Sequence, residues 1–198
     1  MNIAFFASHR GSNMQAAIDA VNTGKLNARP CVVISNHGDS EALEKAQKGG
    51  IPNYHLSSKT HPDPGKLDEE ILNILERHRT DWIVLAGYMK KLGPKVLQKY
   101  KGRIINIHPS LLPKYGGRGM CGVAVHEAVI AAGEKETGVT IHLVDEEYDH
   151  GEILAQCTVP ILRGDTVESL SRRVLEREHV FLVETLERIA RGEISMHK

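Results

Sequence analysis

The chain has 198 residues, of which 25 are Lys or Arg, 25 are Asp or Glu and 41% are hydrophobic. This length suits a single domain, placed here at residues 1–198, and the hydrophobic fraction excludes a disordered chain. The balanced charge argues against a general nucleic-acid-binding protein, which normally carries a basic surplus. No apolar run reaches the length of a membrane span, so no membrane partner is expected.

The chain has three cysteines, Cys31, Cys121 and Cys157, and none of them forms a CxxC motif. An odd number of isolated cysteines favours free thiols in a reducing compartment over a disulfide framework. The apolar run at the N-terminus has no basic start and is too short for a signal peptide. These features predict a cytoplasmic protein.

Short apolar runs alternate with helical patterns along the chain. Such alternation predicts an α/β fold with a Rossmann-like, open, mostly parallel sheet and helices on both faces. Ligands of these sheets bind at the carboxyl ends of the strands. The predicted strands are residues 3–7, 31–34, 82–86, 104–107, 139–144 and 153–159. The predicted helices are residues 13–21, 40–48, 66–77, 94–100, 122–132 and 166–191.

The balanced total charge hides a basic middle segment. Between Trp82 and His126 there is no Asp or Glu, whereas acids outnumber bases in residues 127–178. A basic block of this kind is either a solvated helix face or a local field that attracts an anionic ligand. Its members are Lys90, Lys91, Lys95, Lys99, Lys101, Arg103, Lys114 and Arg118.

A phosphate-binding turn is predicted where the first strand meets the first helix, at Gly11, Ser12 and Asn13. The free N–H groups and partial positive charge of a helix N-terminus bind anions, and Ser12 or Asn13 can cap the helix. A simple capped turn is the alternative. A dinucleotide site needs the three glycines of GxGxxG, and this turn has only Gly11.

A polar pair ends the strand at residues 104–107. Side chains alternate along an extended chain, so Asn106 and His108 project from the same face. Pro109 keeps His108 out of the helical region. Asn106 can donate a hydrogen bond to an oxyanion, and His108 can donate one or move a proton near neutral pH. Both are predicted to be catalytic, against the alternative of an ordinary structural histidine.

An acidic segment, residues 145–149, joins the next two strands. Most of its carboxylates are expected to be solvated. Asp149, beside the turn at Gly151, is the best candidate to lie next to His108, where it would raise the pKa of the imidazole. A metal site built from His108, His142, Asp149 and His150 stays open, but no tight ligand spacing supports it.

Glu178 interrupts an apolar stripe on the last predicted helix, formed by Leu170, Val174 and Phe181. A glutamate in such a stripe must pair or bind something polar. The partner is either a nearby arginine or the hydroxyl groups of a ligand.

Together these segments resemble the phosphoribosylglycinamide formyltransferases, folate-dependent formyltransferases of purine synthesis. The resemblance extends over nearly the whole chain and implies the formyltransferase fold. Its motifs are Gly11-Ser12-Asn13, residues 84–89 (VLAGYM), residues 106–113 (NIHPSLLP) and Asp149-x-Gly151.

The resemblance implies two small-molecule substrates, glycinamide ribonucleotide and 10-formyltetrahydrofolate as the formyl donor. Gly11, Ser12 and Asn13 would hold the ribonucleotide phosphate, and Glu178 the ribose hydroxyls or the glycinamide end. The segment 144–149 would close over the pterin. The folate pocket would be lined by Met89, Lys90, Lys91, Leu92, Val144 and Asn106.

The resemblance also implies the chemistry. The glycinamide amine attacks the formyl carbon, and Asn106 and His108 stabilise the resulting oxyanion. Asp149 keeps His108 protonated and helps to order a water that relays the proton. Neither a metal nor a covalent intermediate is expected.

This chain departs from the common family pattern at two places. The segment 116–123 is longer and richer in glycine than usual. Pro64 occupies the position of a folate-contacting arginine, with Lys66 as a possible substitute. Three alternatives stay open: a methionyl-tRNA formyltransferase, which carries a second, basic domain; a formyltetrahydrofolate hydrolase, which carries an N-terminal regulatory domain; and a non-catalytic phosphate- or folate-binding protein.

Overall fold

A computed structural model describes residues 1–194, which form one seven-stranded sheet with six helices packed on it. The strand order is β3-β2-β1-β4-β5-β6-β7. Pairing is parallel from β3 to β5 and antiparallel for β5–β6 and β6–β7. The predicted open, mostly parallel sheet is therefore confirmed. The strands are β1 (Asn2–Phe6), β2 (Arg29–Ser35), β3 (Asn53–His55), β4 (Trp82–Leu85), β5 (Ile104–His108), β6 (Glu136–Leu143) and β7 (Ile153–Pro160).

Helices cover both faces of the sheet, as predicted. Phe5 of β1 packs on the face covered by α1, α2, α5 and α6, and its neighbour Phe6 packs on the face covered by α3 and α4. Strands buried on both faces have continuous apolar sequences, which is why the runs at β1, β2 and β4 were recognisable. The helices are α1 (Ser12–Asn22), α2 (Glu41–Lys48), α3 (Pro64–Arg77), α4 (Pro94–Lys99), α5 (Val123–Ala131) and α6 (Val167–Ala190).

Two local features differ from the sequence prediction. Strand β3 was missed, because its three half-buried residues carry no apolar run and owe their conformation to pairing with β2. The predicted capping of α1 by Ser12 or Asn13 is wrong. The N-cap is Gly11, which has a left-handed φ of 62° and provides no side-chain cap.

The remaining helix starts follow local rules. The Ser40 hydroxyl accepts a hydrogen bond from the Leu43 N–H and caps α2, and Asp63 caps α3 ahead of Pro64. No helix within residues 1–194 is both long and apolar enough to cross a membrane. The single domain of residues 1–198 stays a prediction, and its last four residues lie outside the described range.

Candidate active site

A cavity of about 470 Å³ lies at the carboxyl ends of β4 and β5. Its wall includes Leu85, the last residue of β4, Gly87 just after it, and the segment from Asn106 to Pro109 at the end of β5. Strand order reverses beside β1, which is where ligand crevices form in open α/β sheets. The volume is within the range of small-molecule sites. The predicted location of the site agrees with this cavity.

Asn106 and His142 face each other across the antiparallel pairing of β5 with β6. The Asn106 Nδ2 donates to His142 Nε2 at 3.1 Å. His142 Nδ1 lies 2.8 Å from the Leu143 carbonyl oxygen, which can only accept, so the ring proton is on Nδ1. The bond to His142 therefore orients the Asn106 amide.

His108 is buried and both of its ring nitrogens face protein groups. Nε2 donates to the Tyr115 carbonyl at 2.8 Å, and Nδ1 lies 3.5 Å from Asp149 Oδ1. Burial lowers the pKa of His108 more than Asp149 and the Tyr115 carbonyl raise it, so the net pKa is below the ordinary value. Asp149 therefore raises the pKa of His108 as predicted, but desolvation, which the sequence does not show, outweighs the nearby carboxylate.

Asp149 joins the polar groups at this end of the cavity. Its Oδ2 accepts from the Gly117 N–H at 2.9 Å, and its Oδ1 lies 3.4 Å from Asn106 Nδ2 and 3.5 Å from His142 Nε2. Burial raises the pKa of Asp149, but the two imidazoles and the Gly117 N–H together hold that pKa below its usual value. The predicted catalytic residues Asn106, His108 and Asp149 therefore meet around an ionised carboxylate.

Asn13 and Glu178 meet at another part of the cavity wall. The Asn13 Nδ2 donates to Glu178 Oε2 at 3.1 Å. Burial raises the pKa of Glu178 to about 7, and the bond from Asn13 opposes this shift. Within residues 1–194 no cation pairs with Glu178, and the Asn13 Oδ1 is buried without a partner. Both groups can therefore bind a polar ligand.

The turn at Gly11 is held by α2. A Cβ at Gly11 would lie 2.8 Å from the Ala42 Cβ, and the Ala42 N–H donates to the His9 carbonyl. The N–H of Gln15 bonds to the Gly11 carbonyl, so the first-turn N–H groups ahead of it have no intrahelical partner. Neither Gly11 nor Ser12 lines the cavity, whereas Asn13 does.

The predicted folate-binding segment lies on one wall of the cavity. The Met89 N–H donates to the buried Ser8 hydroxyl at 2.7 Å, which fixes this segment to the end of β1. Lys91 Nζ donates to the Glu146 carbonyl at 2.8 Å and lies 4.6 Å from the Tyr148 ring centre, so the wall also contacts the acidic segment. The lining residues here are Met89, Lys90, Lys91, Leu92, Asn106 and Val144.

Six of the eight members of the basic block form two groups. Three of its members pair with acids on neighbouring elements and belong to solvated surfaces, where such pairs contribute little. Three others, Lys90, Lys91 and Arg118, line the cavity and can attract an anion. The paired members are Lys95 with Glu69, Lys99 with Glu76 and Lys114 with Glu134.

The two departures from the family pattern have different positions. Residues 117–123 of the glycine-rich segment line the cavity. A Cβ at Gly116 would lie 2.4 Å from Leu112 Cδ2 and 3.2 Å from the Asp149 Cβ, so this glycine lets the segment pass close to Asp149. Pro64 and Lys66 lie in the first turn of α3 and do not line the cavity. The cavity geometry therefore gives no support to Lys66 as a substitute for that arginine.

The metal alternative gains no support from the geometry. His150 pairs with Asp145 at 2.9 Å rather than joining His108 and His142. Nowhere in residues 1–194 are three or more His, Cys, Asp or Glu side chains arranged to hold a metal ion.

Two cavity histidines, His142 and His126, were predicted to be neither catalytic nor substrate-binding, and His142 was considered only as a metal ligand. His142 owes its position to the β5–β6 register, which a single sequence does not reveal. His126, on α5, lines the cavity and is only 4% exposed, with no hydrogen-bond partner for Nδ1 among the described residues. Nothing in the pattern distinguishes it from the other histidines of the chain.

Comparison with known proteins identifies the family. The formyl transferase family model matches residues 1–186. The phosphoribosylglycinamide formyltransferase of Escherichia coli is 35% identical over 198 residues, which cover all of this chain and 91% of that protein. The chloroplastic enzyme of Arabidopsis thaliana is 38% identical over 97% of this chain, but the chain spans only 66% of that longer relative.

The fold comparison agrees. The structure of the phosphoribosylglycinamide formyltransferase of Coxiella burnetii in complex with CHES superposes with a TM-score of 0.91. It is 37% identical and covers the whole of this chain, which spans 90% of that one. The chain therefore belongs to the formyl transferase family, among the phosphoribosylglycinamide formyltransferases.

Proposed function

We propose that the protein transfers the formyl group of 10-formyltetrahydrofolate to the amine of 5'-phosphoribosylglycinamide, giving formylglycinamide ribonucleotide for purine synthesis. The observation that carries this proposal is that Asn106 and His108 both lie within 3.5 Å of the Asp149 carboxylate in one cavity. That cavity also reaches the Asn13–Glu178 pair. A cavity with both a reactive cluster and a separate polar site suits a reaction between two substrates.

The ribonucleotide is assigned to the part of the cavity beside α1 and α6. The first-turn N–H groups of α1 and its partial positive charge suit the phosphate, with Asn13 at the boundary between this turn and the cavity. Glu178 has one bond from protein and can exchange hydrogen bonds with the ribose hydroxyls. This arrangement directs the glycinamide amine toward His108.

The folate is assigned to the opposite wall. The segment from Met89 to Leu92 presents backbone groups, and Leu85, Leu97 and Val144 add apolar surface that suits a planar pterin. Lys90 and Lys91 are exposed at this wall and suit the carboxylates of the folate tail.

In the proposed step, the amine nitrogen attacks the formyl carbon and the carbonyl electron pair becomes an oxyanion. The Asn106 amide gives up its long 3.4 Å contact with Asp149 and donates a hydrogen bond to that oxyanion instead. His142 keeps its 3.1 Å bond to the same amide and holds the side chain in place. The carbon–nitrogen bond to the folate then breaks as the tetrahedral intermediate collapses.

His108 and Asp149 account for the proton. Because Nε2 of His108 donates to the Tyr115 carbonyl, its Nδ1, which faces Asp149, can accept the proton that the attacking amine loses. Asp149 stabilises the imidazolium from 3.5 Å, and the cation stabilises the oxyanion in turn. The proton then leaves with the folate nitrogen, so His108 returns to its neutral form.

We also propose a cytoplasmic location. Cys31, Cys121 and Cys157 are free thiols in the structure, which suits a reducing compartment. Expression of the full chain followed by fractionation and thiol labelling tests this location.

Incubation of the pure protein with 10-formyltetrahydrofolate, with and without glycinamide ribonucleotide, tests the activity. We expect formyl transfer only when both substrates are present, measured by loss of formyl folate and by mass analysis of the ribonucleotide. A matched reaction with glycine in place of the ribonucleotide should give no product. Folate turnover that is independent of the ribonucleotide would instead identify a hydrolase.

A further inference from the structure

His126 is a buried polar residue that the proposed mechanism does not use. It lies in α5, is 4% exposed and forms part of the cavity wall. Its Nδ1 is buried without a hydrogen-bond partner, and no ion pair or side-chain hydrogen bond of His126 occurs among residues 1–194. A ligand in the cavity cannot reach the fully buried Nδ1, so the nitrogen that can bond to it is Nε2, which also has no hydrogen bond to protein among residues 1–194. Buried polar groups in proteins are nearly always hydrogen-bonded, so a cavity-lining histidine whose ring bonds to no protein group points to a polar ligand.

The position of His126 in the fold indicates which ligand it faces. Its neighbours in α5, Val125 and Val129, belong to the core on the sheet face that also buries Met14 of α1 and Val174 of α6. The folate wall packs on the other face, where Leu92 and Val144 join the second core. His126 is therefore on the side of the cavity that carries the Asn13–Glu178 pair.

The chemistry of the ring narrows the ligand further. Burial lowers the pKa of His126, and the nearby His108 lowers it again, which favours the neutral ring with its single N–H donor. The phosphate and ribose oxygens of a ligand on this side of the cavity can accept such a bond. Asn13 adds an unpartnered Oδ1 on the same side.

We propose that His126 is a ribonucleotide-binding residue that donates a hydrogen bond to an oxygen of the phosphoribosyl group. The inference rests on the proposed function, because it takes glycinamide ribonucleotide as the ligand. It adds a third element, α5, to the α1 and α6 contacts of that substrate.

The His126→Leu variant tests the proposal by calorimetry with glycinamide ribonucleotide and, separately, with a folate analogue. We expect ribonucleotide affinity to fall about 10-fold, since one hydrogen bond is lost, and folate affinity to stay within about twofold. Leucine keeps most of the buried volume and removes a polar group that lacks a partner in the protein, so the melting temperature should stay level or rise. His126→Gln should restore part of the affinity.

His179→Leu is the matched control. This histidine of α6 also has a buried ring nitrogen without a partner, but it does not line the cavity. Its substitution should leave both affinities unchanged.

The outcomes separate the two proposals. If the unmodified protein does not bind glycinamide ribonucleotide, the proposed function fails. If it binds and His126→Leu binds equally well, the role of His126 fails while the function stands. If His126→Leu bound both ligands equally more weakly and also melted at a lower temperature, His126 would have a structural role, and the inference would also be overturned.

Discussion

The cavity has a carboxylate in each half, and their environments shift their acidities in opposite directions. Asp149 and Glu178 are both largely buried: the Asp149 side chain is 11% exposed, and Glu178 is 7% exposed. The pKa of Asp149 is held below its usual value, whereas the pKa of Glu178 rises to about 7. Burial acts on both in the same direction, so the difference comes from their hydrogen-bond partners.

The partners differ in number and charge. Asp149 is surrounded by the Gly117 N–H, the Asn106 amide and two imidazoles, whereas Glu178 receives one bond from Asn13. One end of the cavity therefore holds a fixed negative charge beside His108, which suits proton transfer. The other end holds a carboxyl group that is close to half-protonated at neutral pH and can both donate to and accept from hydroxyl groups.

The largest expected effect is on Asp149→Asn. This change removes the charge that stabilises the His108 imidazolium, and we expect turnover to fall about 100- to 1,000-fold. Position 149 has a left-handed φ of 53°, which asparagine adopts readily, so the fold should survive. Steady-state assays of formyl transfer measure the change.

Ribonucleotide binding is the control for that variant. Calorimetry should show an affinity close to that of the unmodified protein, because Asp149 lies at the reactive end of the cavity. A variant with near-normal turnover would remove the charge of Asp149 from the mechanism.

The second prediction is that ionisation of Glu178 makes the free energy of unfolding depend on pH. Its pKa rises from 4.5 to about 7 on folding, so the free energy of unfolding should decrease as pH rises through this interval. The full decrease is about 3 kcal/mol, because each pKa unit corresponds to about 1.36 kcal/mol. Glu178→Gln cannot ionise, and we expect its stability relative to the unmodified protein to be higher at pH 8 than at pH 5.

Urea denaturation across this pH range measures the difference. Glu176→Gln, two residues earlier on the exposed face of α6, should leave the slope unchanged. Asp149 has the opposite sign: its lowered pKa contributes stability above its usual range that is lost in acid. If Glu178→Gln keeps the slope of the unmodified protein between pH 5 and 8, the contrast between the two carboxylates fails.

The sequence could predict this comparison only in part. Asn106, His108 and Asp149 follow recognisable motifs, and the alternation of strands and helices placed them at the carboxyl edge of the sheet. The sequence indicates the carboxylate that raises the pKa of His108, but it does not show the burial that outweighs it. The cavity positions of His142 and His126 depend on strand register and helix packing, which one sequence does not encode locally.

The fold shows the same limit. Strands buried on both faces were predictable, and the start of β6 moved furthest, from residue 139 to Glu136. Its first residues are polar or small and are held by pairing with β7. Tertiary packing also decides the ion pairs of the basic block. Lys95 and Lys99 pair with Glu69 and Glu76 of α3, which lie outside that block in sequence.

The smallest effect on turnover is expected for Asp165→Asn. This variant tests whether a lowered pKa is sufficient to identify a catalytic carboxylate. Asp165 is 5% exposed and bonds Arg173 twice at 2.7 Å, and these bonds hold its pKa well below the usual range. It does not line the cavity. We therefore expect turnover to change less than about twofold, while the free energy of unfolding at pH 7 falls by about 1–2 kcal/mol as the charged bonds weaken. If Asp165→Asn lost as much turnover as Asp149→Asn, a carboxylate outside the cavity would matter as much for the reaction as one inside it. The expected result, lower stability with nearly unchanged turnover, would instead show that only carboxylates facing the cavity take part in the reaction.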